Sequence, residues 1–527
     1  MLFGRLAHPL LWQDEGETAM FATRVLEYGY PKVHGARNVV YEFGSNVAIG
    51  VDEATDAYIG KTWGDFYFAV PGLVWARGAG DPYTRTFRLR LPFALAGAVG
   101  LAVMLWGVLP AVAPRRRVGF AAAFAALCSV SISLLLHLRE VRYYPLLVLV
   151  LGALLALHLR RRLASPERWR LHAVAAGSLS LLLFQVFHLA WFAATALLVA
   201  DAAHGVWRAP AGGGDRARRL ARELLPHAIG ALLALPWIVF LETFQVARGF
   251  AEHVGVSVAG YLANAGSVLA HFARHELLLP AAGCRAAVAW RRRSAAAAPT
   301  PAGRVSARLL GFAAGYAVIG CVNPLVYERY FVVLSPLVTL AFLLDAHALV
   351  EAARRPRRGA LALAVLVAAA LLPRATAVAG RLAELREPVR GPLDFAVAHL
   401  RERYPDPSTL VIATNYEAHP LMYYLGSHVI VGLSGNNLAR ERDLVPDVVI
   451  PRRSWPRTLP QLRRYLARAR YREEPLPVAD TRYNNIPALS ASPATPDPHF
   501  FRTPAAGPAD PERLRVYHLQ TGAGGAE

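Results

Sequence analysis

The feature that most constrains this chain is a series of apolar runs long enough to cross a lipid bilayer. A transmembrane helix needs about 20 predominantly apolar residues, and runs close to this length recur after residue 88. They predict spans at 89–109, 117–136, 143–160, 171–187, 189–206, 223–241, 271–290, 307–322, 330–350 and 359–379. The sequence therefore predicts an α-helical polytopic membrane protein with about 10–11 spans.

The composition agrees with this prediction. Of the 527 residues, 55% are hydrophobic and 18% are charged, whereas a soluble domain has about 25% charged residues. A net charge of +20 can indicate a nucleic-acid partner. Here the positive residues form short clusters between apolar runs, as in membrane proteins that follow the positive-inside rule. We therefore expect a lipid bilayer and no nucleic acid as partner.

The basic clusters also orient the chain, because Lys and Arg are enriched in cytoplasmic loops. They occupy every second connection, in the segments PRRR (114–117), RRRLASPERWR (160–170), RAPAGGGDRARRLARE (208–223), RRRS (291–294) and ARRPRRG (353–359). Both ends of the chain are then expected outside the cytoplasm. An outer N-terminal segment needs a route across the membrane, so we expect a further transmembrane helix upstream of it.

Three domains follow from this organisation. They are a first extracytoplasmic loop with amphipathic helices (1–88), a transmembrane domain (89–380) and a soluble extracytoplasmic α/β domain (381–527). In the last domain, alternating and apolar runs predict strands at 410–413 and 429–433 with a helix between them. The segment ERLRVYHLQ (512–520) predicts a final strand.

The first candidate site is the acid pair Asp14 and Glu15 in the stretch WQDEGETAMFATRVLEYGYP. Acids on an outer loop beside apolar helices can serve as a general base or hold a divalent metal ion, for which Asp14 is the candidate ligand. Acids in the first turn of a helix can equally cap its N-terminus and stabilise its dipole. The residues alone leave both roles open.

Arginines on two predicted outer loops form the second candidate site, because such loops should be poor in arginine. REVRYYPL contains Arg139, Arg142 and Tyr143, and ERYFVVLSPL contains Arg329 and Tyr330. A guanidinium group binds a phosphate through two parallel hydrogen bonds. The alternative is an interfacial anchor, in which long cationic side chains and tyrosines lie at the headgroup level.

Weaker candidates occupy two further outer segments. His188 lies at a predicted turn, FHLAW, where it can assist at the site or serve the structure alone. Asn415 and Glu417 follow a predicted strand in TNYEAHP, where a loop can bind a sugar or an acceptor.

Several of these motifs, in this order, resemble the bacterial GT-C glycosyltransferases of the protein mannosyltransferase and lipid A aminoarabinose transferase type (family 39/83-like). The motifs are WQDEGETAMFATRVLEYGYPKV, YEFG, FYFAVPGLVW, RTFRLRLPFALAGAVG, REVRYYPL and ERYFVVLSPL. The resemblance extends over residues 10–350. It implies a GT-C-like membrane domain in the bacterial plasma membrane, often followed by an extracytoplasmic domain. It also implies inverting transfer of a sugar from a polyprenyl-phosphate carrier to a lipid, glycan or protein.

The resemblance also implies roles for individual residues. Asp14 would activate the acceptor or coordinate a metal ion, with Glu15 as its partner. The residues implied near the carrier phosphate are Arg142, Tyr143, Arg329 and Tyr330. Further candidates for substrate binding are Arg139, His188, Asn415 and Glu417. We expect Asp14, Arg142 and Arg329 to converge on one outer cavity.

Two other classes of function remain open. A transporter or flippase of lipid-linked sugars predicts paired halves with broken helices and charges near the bilayer midplane, whereas the charges here lie at the predicted helix ends. A non-catalytic membrane scaffold would tolerate the loss of Asp14.

Overall fold

A computed structural model describes much of the chain and divides it into two compact units. The described residues are 2–40, 50–163, 169–208, 213–295, 300–351, 356–379, 388, 390–432, 441, 443–453, 455–480 and 510–520. The helical unit consists mainly of Ala94–Ala383, and the mixed unit consists mainly of Phe3–Phe93, Glu384–Asn485 and Phe501–Glu527.

Helices dominate the described chain, together with seven strands. The helices are α1 (Gln13–Tyr28), α2 (Gly64–Ala76), α3 (Pro82–Val108), α4 (Arg117–Ser129), α5 (Ile132–His137), α6 (Tyr143–Leu163), α7 (Trp169–Val186), α8 (His188–Arg208), α9 (Gly213–Phe240), α10 (Thr243–Val254), α11 (Val258–His275), α12 (Leu278–Ala295), α13 (Pro301–Gly320), α14 (Leu334–Glu351), α15 (Pro356–Ala379), α16 (Pro392–Arg403), α17 (Ala418–Leu425) and α18 (Leu459–Arg468). The strands are β1 (Val51–Asp52), β2 (Ala57–Tyr58), β3 (Val411–Thr414), β4 (His428–Val431), β5 (Val448–Ile450), β6 (Tyr471–Ala479) and β7 (Arg513–Leu519).

Five helices in the described part of the chain are long and apolar enough to cross a membrane. They are Pro82–Ala111, Tyr143–Leu163, His188–Arg208, Arg216–Phe240 and Leu334–Glu351. Each overlaps a predicted span. The other five predicted spans also fall on helices, but those helices are shorter, less apolar or interrupted. These features are those of a multi-pass membrane protein.

The predicted turn near His188 is confirmed, because α7 ends at Val186 and α8 begins at His188. The predicted span 117–136 is interrupted after α4. There Ser131 caps α5, since its hydroxyl oxygen accepts a hydrogen bond from the backbone N–H of Leu134 at 3.4 Å. A serine at this position supplies an acceptor for a helix start.

The predicted span 271–290 is wrong as a single helix, because α11 ends at His275 and α12 begins only at Leu278. Glu276 lies between them with its side chain buried. Its carboxylate accepts a hydrogen bond from the Ser131 hydroxyl at 2.9 Å and pairs with Arg374. The partners of Glu276 are more than 90 residues away in sequence, so a local hydropathy pattern cannot reveal this break.

A five-stranded sheet forms the core of the mixed unit, with strand order β4-β3-β5-β7-β6. Strand β3 runs parallel to β4 and β5, whereas β7 runs antiparallel to β5 and β6. The three strands predicted from sequence are confirmed as β3, β4 and β7. Strand β6 was missed because it contains Pro475 and Pro477. Proline cannot donate to a neighbouring strand and is tolerated at a sheet edge, where β6 lies.

Segments from both ends of the chain build the mixed unit. Helix α1 approaches α17 so closely that a Cβ atom on Gly16 would lie 2.5 Å from the Pro420 side chain. The backbone N–H of Leu10 donates to Asp394 Oδ1 at 3.2 Å. The amide of Asn38 accepts a hydrogen bond from the Val429 backbone N–H at 2.9 Å. Phe3–Phe93 and the strands of the sheet therefore belong to one packed unit.

Candidate functional site

Glu15 is held in a buried ion pair at the start of α1. Its side chain is fully buried, and Arg90 donates to both carboxylate oxygens, at 2.8 Å from Nε and 2.5 Å from Nη2. Arg90 also donates to the backbone carbonyls of Leu6 at 3.0 Å and Pro9 at 2.6 Å. This bidentate pair fixes the N-terminal segment against α3, so the described geometry gives Glu15 a positioning role.

Asp14 has a different environment from its neighbour. It is half-buried, and helical spacing places it on the same face of α1 as Glu17 and Thr18. Beside that face, Lys61 Nζ lies 2.9 Å from Asp65 Oδ2 and 3.6 Å from Glu17 Oε1. Asp14 thus belongs to an acidic helix face that has Lys61 beside it.

Lys61 was missed at the sequence level, although a signal was present. The chain contains two lysines among 57 basic residues, so a lysine placed four residues before the buried Asp65 is unusual here. Its ammonium group also lies over the Phe66 ring, 4.4 Å from the centroid.

The outer-loop arginines of the helical unit gather around aromatic rings. Tyr143, the first residue of α6, stacks on Phe187 with ring centroids 4.7 Å apart. Phe187 in turn lies 5.7 Å from the Tyr330 ring and 6.1 Å from His188. Three connections that are distant in sequence therefore meet at Phe187, the residue between α7 and α8. We call the set described here and in the next paragraph the arginine–tyrosine cluster.

Both predicted phosphate-binding arginines lie in the arginine–tyrosine cluster. Arg142 Cζ is 5.8 Å from the Tyr143 ring centroid. Arg329 Cζ is 4.8 Å from the Tyr327 ring centroid and 5.7 Å from that of Tyr330. Cation–π contacts of this kind hold guanidinium groups in defined positions.

Arg139 lies in the same α5–α6 connection as Arg142 and is 2% exposed. Ring and cation–π contacts place five of the six site residues that the sequence predicts in this unit in the arginine–tyrosine cluster, and the sixth, Arg139, lies three residues before Arg142. The six are Arg139, Arg142, Tyr143, His188, Arg329 and Tyr330.

Glu328 forms a buried hydrogen-bond network beside this cluster, and the sequence alone does not reveal it. Glu328, which precedes Arg329, is 1% exposed and accepts a hydrogen bond from Ser133. Its carboxylate lies 3.3 Å from His137 Nε2 and 3.7 Å from His271 Nε2. The network ties the turn that carries Arg329 to α5 and α11, and it needs tertiary contacts that no single motif encodes.

In the mixed unit, the predicted substrate-binding residues Asn415 and Glu417 bond to another side chain and backbone of the same unit. The Asn415 amide donates to the Arg452 carbonyl at 2.9 Å and accepts from the Arg452 backbone N–H at 2.7 Å. Glu417 pairs with the Arg452 guanidinium group, which also bonds Asp480 at 2.7 Å. Burial raises the pKa of Glu417, and Arg452 counteracts that effect. Through these contacts Asn415 and Glu417 tie the loop after β3 to the loop after β5, which carries Arg452.

The described residues do not group Asp14 with two further potential metal ligands. The one set of three His, Cys, Asp or Glu side chains close enough to hold an ion is His399, Glu474 and His518, within the described ranges. A metal ion at Asp14 therefore stays a prediction. The convergence of Asp14 with Arg142 and Arg329 also stays a prediction, since Asp14 lies in the mixed unit and the two arginines lie in the helical unit.

A separate basic cavity of about 510 Å³ lies within the helical unit. Its lining includes His158 of α6 and Asp201 of α8, which pair at 2.8 Å, and Arg308, which lies 3.1 Å from Asp201. His158 is four turns along α6 from Tyr143, or about 22 Å at the usual helical rise. The cavity therefore lies towards the end of α6 that the sequence predicts to be cytoplasmic.

Comparison with known proteins identifies the fold. No protein-family model and no curated protein sequence matches the chain. The structure of ArnT from Cupriavidus metallidurans bound to undecaprenyl phosphate is similar, with a TM-score of 0.56, 15% identity, and coverage of 100% of this chain and 97% of that chain. The same protein in the apo state gives a TM-score of 0.54 and 13% identity, covering 98% and 95% of the two chains. The chain therefore has the GT-C fold, with a C-terminal sheet domain, that is found in this lipid A aminoarabinose transferase.

Proposed function

We propose that this GT-C-fold chain is a membrane glycosyltransferase that moves a sugar from a polyprenyl-phosphate carrier to an extracytoplasmic lipid, glycan or protein. One observation carries the proposal. Arg142 lies beside Tyr143 and Arg329 beside Tyr330, and both tyrosines contact Phe187, in a chain whose fold is shared with a protein solved with undecaprenyl phosphate bound.

The arginine–tyrosine cluster suits the donor half of the reaction. When the bond between the sugar C1 and the phosphate oxygen breaks, the departing phosphate gains negative charge. Fixed guanidinium groups stabilise that charge more strongly in the transition state than in the ground state, which accelerates the step. We assign Arg142 and Arg329 to the phosphate oxygens, with Tyr143 and Tyr330 as neighbouring donors, and Arg139 and His188 as further contacts.

Asp14 suits the acceptor half of the reaction. In our mechanism its carboxylate takes the proton of an acceptor hydroxyl while the acceptor oxygen attacks the sugar C1 from the side opposite the phosphate. One C–O bond forms as the other breaks, so the configuration at C1 inverts. If a divalent ion takes part, Asp14 is the residue we assign to hold it. Glu15 would keep the first turn of α1 in place through Arg90.

We place this activity at the outer face of the bacterial plasma membrane. The support is the alternation of basic loops along the chain. In this orientation the basic cavity around Asp201 belongs to the cytoplasmic end of the helices, whereas the arginine–tyrosine cluster belongs to the outer end.

The test is sugar release by the purified chain in lipid vesicles, supplied in turn with a panel of polyprenyl-phosphate sugars and with mixed lipid, glycan and peptide acceptors. We expect release from one donor class. Arg142→Gln and Arg329→Gln should each reduce the rate on the order of 100-fold, as expected when a donor to developing charge is removed.

Arg248→Gln is the matched control, because Arg248 is exposed and its ion pair within the described residues is with the equally exposed Glu252. It should retain full activity. Transport of an intact lipid-linked sugar across the vesicle membrane without release would support the transporter instead. A folded chain that neither releases the sugar nor transports the lipid-linked sugar would favour the non-catalytic scaffold.

A further inference from the structure

Three potential metal ligands, none of them assigned a role above, meet in the mixed unit. His399 belongs to α16, Glu474 to β6 and His518 to β7. The Nε2 atoms of the two histidines are 3.0 Å apart. Glu474 Oε2 lies 3.8 Å from His518 Nε2, and Glu474 Oε1 lies 3.6 Å from His399 Nδ1. The three groups come from separate elements, and tertiary packing alone brings them together.

The distances are close to those of ligands around a small metal ion. Two nitrogens bound to Zn²⁺ at about 2.0–2.1 Å with tetrahedral angles are separated by about 3.3 Å. The two Nε2 atoms are a few tenths of an ångström closer than this, so an ion requires only a small outward rotation of the rings. The Glu474 carboxylate can reach the same point through a change of its side-chain torsions.

A tyrosine orients one of the imidazoles. Tyr404 Oη lies 2.9 Å from His518 Nδ1, so the Nδ1–H can donate to the tyrosine oxygen. In that tautomer the lone pair of His518 is on Nε2 and faces His399 and Glu474. Metal-bound histidines usually have such a partner on their second nitrogen.

The three side chains differ in their exposure to solvent, which leaves a route for an ion. The His518 side chain is 3% exposed and the His399 side chain 15%, whereas the Glu474 side chain is 34% exposed. The two imidazoles therefore line the inner side of the group, and an ion can enter past the more exposed Glu474 while keeping a water molecule.

We propose that His399, Glu474 and His518 form a Zn²⁺-binding site that links α16 to the edge of the sheet at β6 and β7. Two imidazoles and one carboxylate suit a borderline ion such as Zn²⁺, whereas Mg²⁺ and Ca²⁺ prefer all-oxygen ligands. The alternative is a hydrogen-bonded chain from Tyr404 through both histidines to Glu474 that needs no ion.

The test is metal binding by the full chain in detergent after removal of metal with a chelator. Zn²⁺ is titrated calorimetrically, and Co²⁺ is used as a spectroscopic probe of nitrogen and oxygen ligation. We expect one ion per chain, an increase in Tm on Zn²⁺ addition, and little response to Mg²⁺. His399→Ala and Glu474→Gln should each weaken Zn²⁺ binding by more than about tenfold.

His428→Ala is the matched control. His428 pairs with Glu441 at 2.8 Å in the same unit, but within the described residues this pair belongs to no group of three ligands. Its Zn²⁺ affinity should equal that of the unchanged chain. Equal binding by the control and by His399→Ala, or no Zn²⁺ binding by the unchanged chain, would overturn the proposal.

Two gentler variants keep the test informative if the histidine variants do not fold. Arg403 Nη1 lies 3.6 Å from Glu474 Oε2 and competes with an ion for that carboxylate. Arg403→Gln should therefore tighten Zn²⁺ binding by up to about fivefold, the limit for a partly exposed ion pair. Tyr404→Phe should weaken binding about tenfold by releasing the His518 ring. An unchanged affinity in both variants would contradict the site.

Discussion

At the scale of single residues, two neighbouring acids acquire different roles from their surroundings. Asp14 and Glu15 are chemically similar and adjacent, and the sequence assigns them one shared function. The structure buries Glu15 against Arg90, whereas Asp14 is half-buried on a face that carries Glu17. Adjacent residues of an α-helix point in directions about 100° apart around its axis, since a turn contains 3.6 residues. The two acids therefore differ in burial, and we assign a structural role to Glu15 and a chemical role to Asp14.

Glu15→Gln should strongly destabilise the chain. The change leaves the Arg90 guanidinium group buried without its counter-charge, which typically costs about 3–5 kcal/mol of unfolding free energy. The measurement is denaturant unfolding in detergent. The control on the same helix is Glu27→Gln, because Glu27 is 52% exposed and 3.4 Å from Arg24. It should cost less than about 1 kcal/mol. Equal effects of the two changes would contradict the structural role of Glu15.

Asp394 should make stability depend on pH. Burial raises its pKa to about 6, although hydrogen bonds from the backbone N–H groups of Gly391 and Leu10 oppose the shift. The folded pKa is then above the unfolded value of about 3.9, so the folded chain holds this proton more tightly. The resulting stabilisation is present below about pH 4 and is lost as pH rises through about 6, with a difference of about 3 kcal/mol.

Asp394→Asn tests this dependence, because asparagine does not titrate. The stability of the variant relative to the unchanged chain should improve as pH rises from 4 to 7, as measured by unfolding in detergent. A difference between the two chains that stays constant over this range would contradict the shifted pKa.

At the scale of secondary structure elements, close contacts depend on small residues at defined positions. The approach of α1 to α17 requires Gly16, where a Cβ atom would contact the Pro420 ring. Nothing in the local sequence indicates this contact, because Gly16 and Pro420 are 404 positions apart. The same limit applies to the break between α11 and α12 at Glu276. Elements defined by local patterns, such as α6, β3 and β7, were predictable, and boundaries defined by distant partners were not.

Gly16→Ala should destabilise the mixed unit by about 1–3 kcal/mol, the usual cost of adding a methyl group to a packed contact. The matched control is Gly266→Ala in α11, where a Cβ atom would meet nothing within 4 Å. Alanine there should be neutral or stabilise the helix by up to about 1 kcal/mol. Both can be measured as shifts in Tm. A neutral Gly16→Ala would show that α1 and α17 are not in tight contact.

At the scale of the whole molecule, the apolar runs were sufficient to predict a multi-pass helical protein, and the strand patterns after residue 381 predicted its sheet domain. The sequence also singled out Arg142 and Arg329, because they lie on predicted outer loops that should be poor in arginine, and the structure places both beside tyrosines. The sequence could not predict that Asn415 and Glu417 bond to Arg452, since that arginine lies in another loop. It also could not predict the histidine pair His399 and His518, which only the folded sheet brings together.

The most direct test of the proposed transferase compares sugar release by the unchanged chain and by Asp14→Asn, in vesicles supplied with a polyprenyl-phosphate sugar and an acceptor. Asparagine keeps the shape of the side chain but cannot take a proton from the acceptor. The proposal predicts that release falls by at least about 100-fold, the lower range for loss of a general base, while Tm stays unchanged. Equal release by both chains would contradict the account.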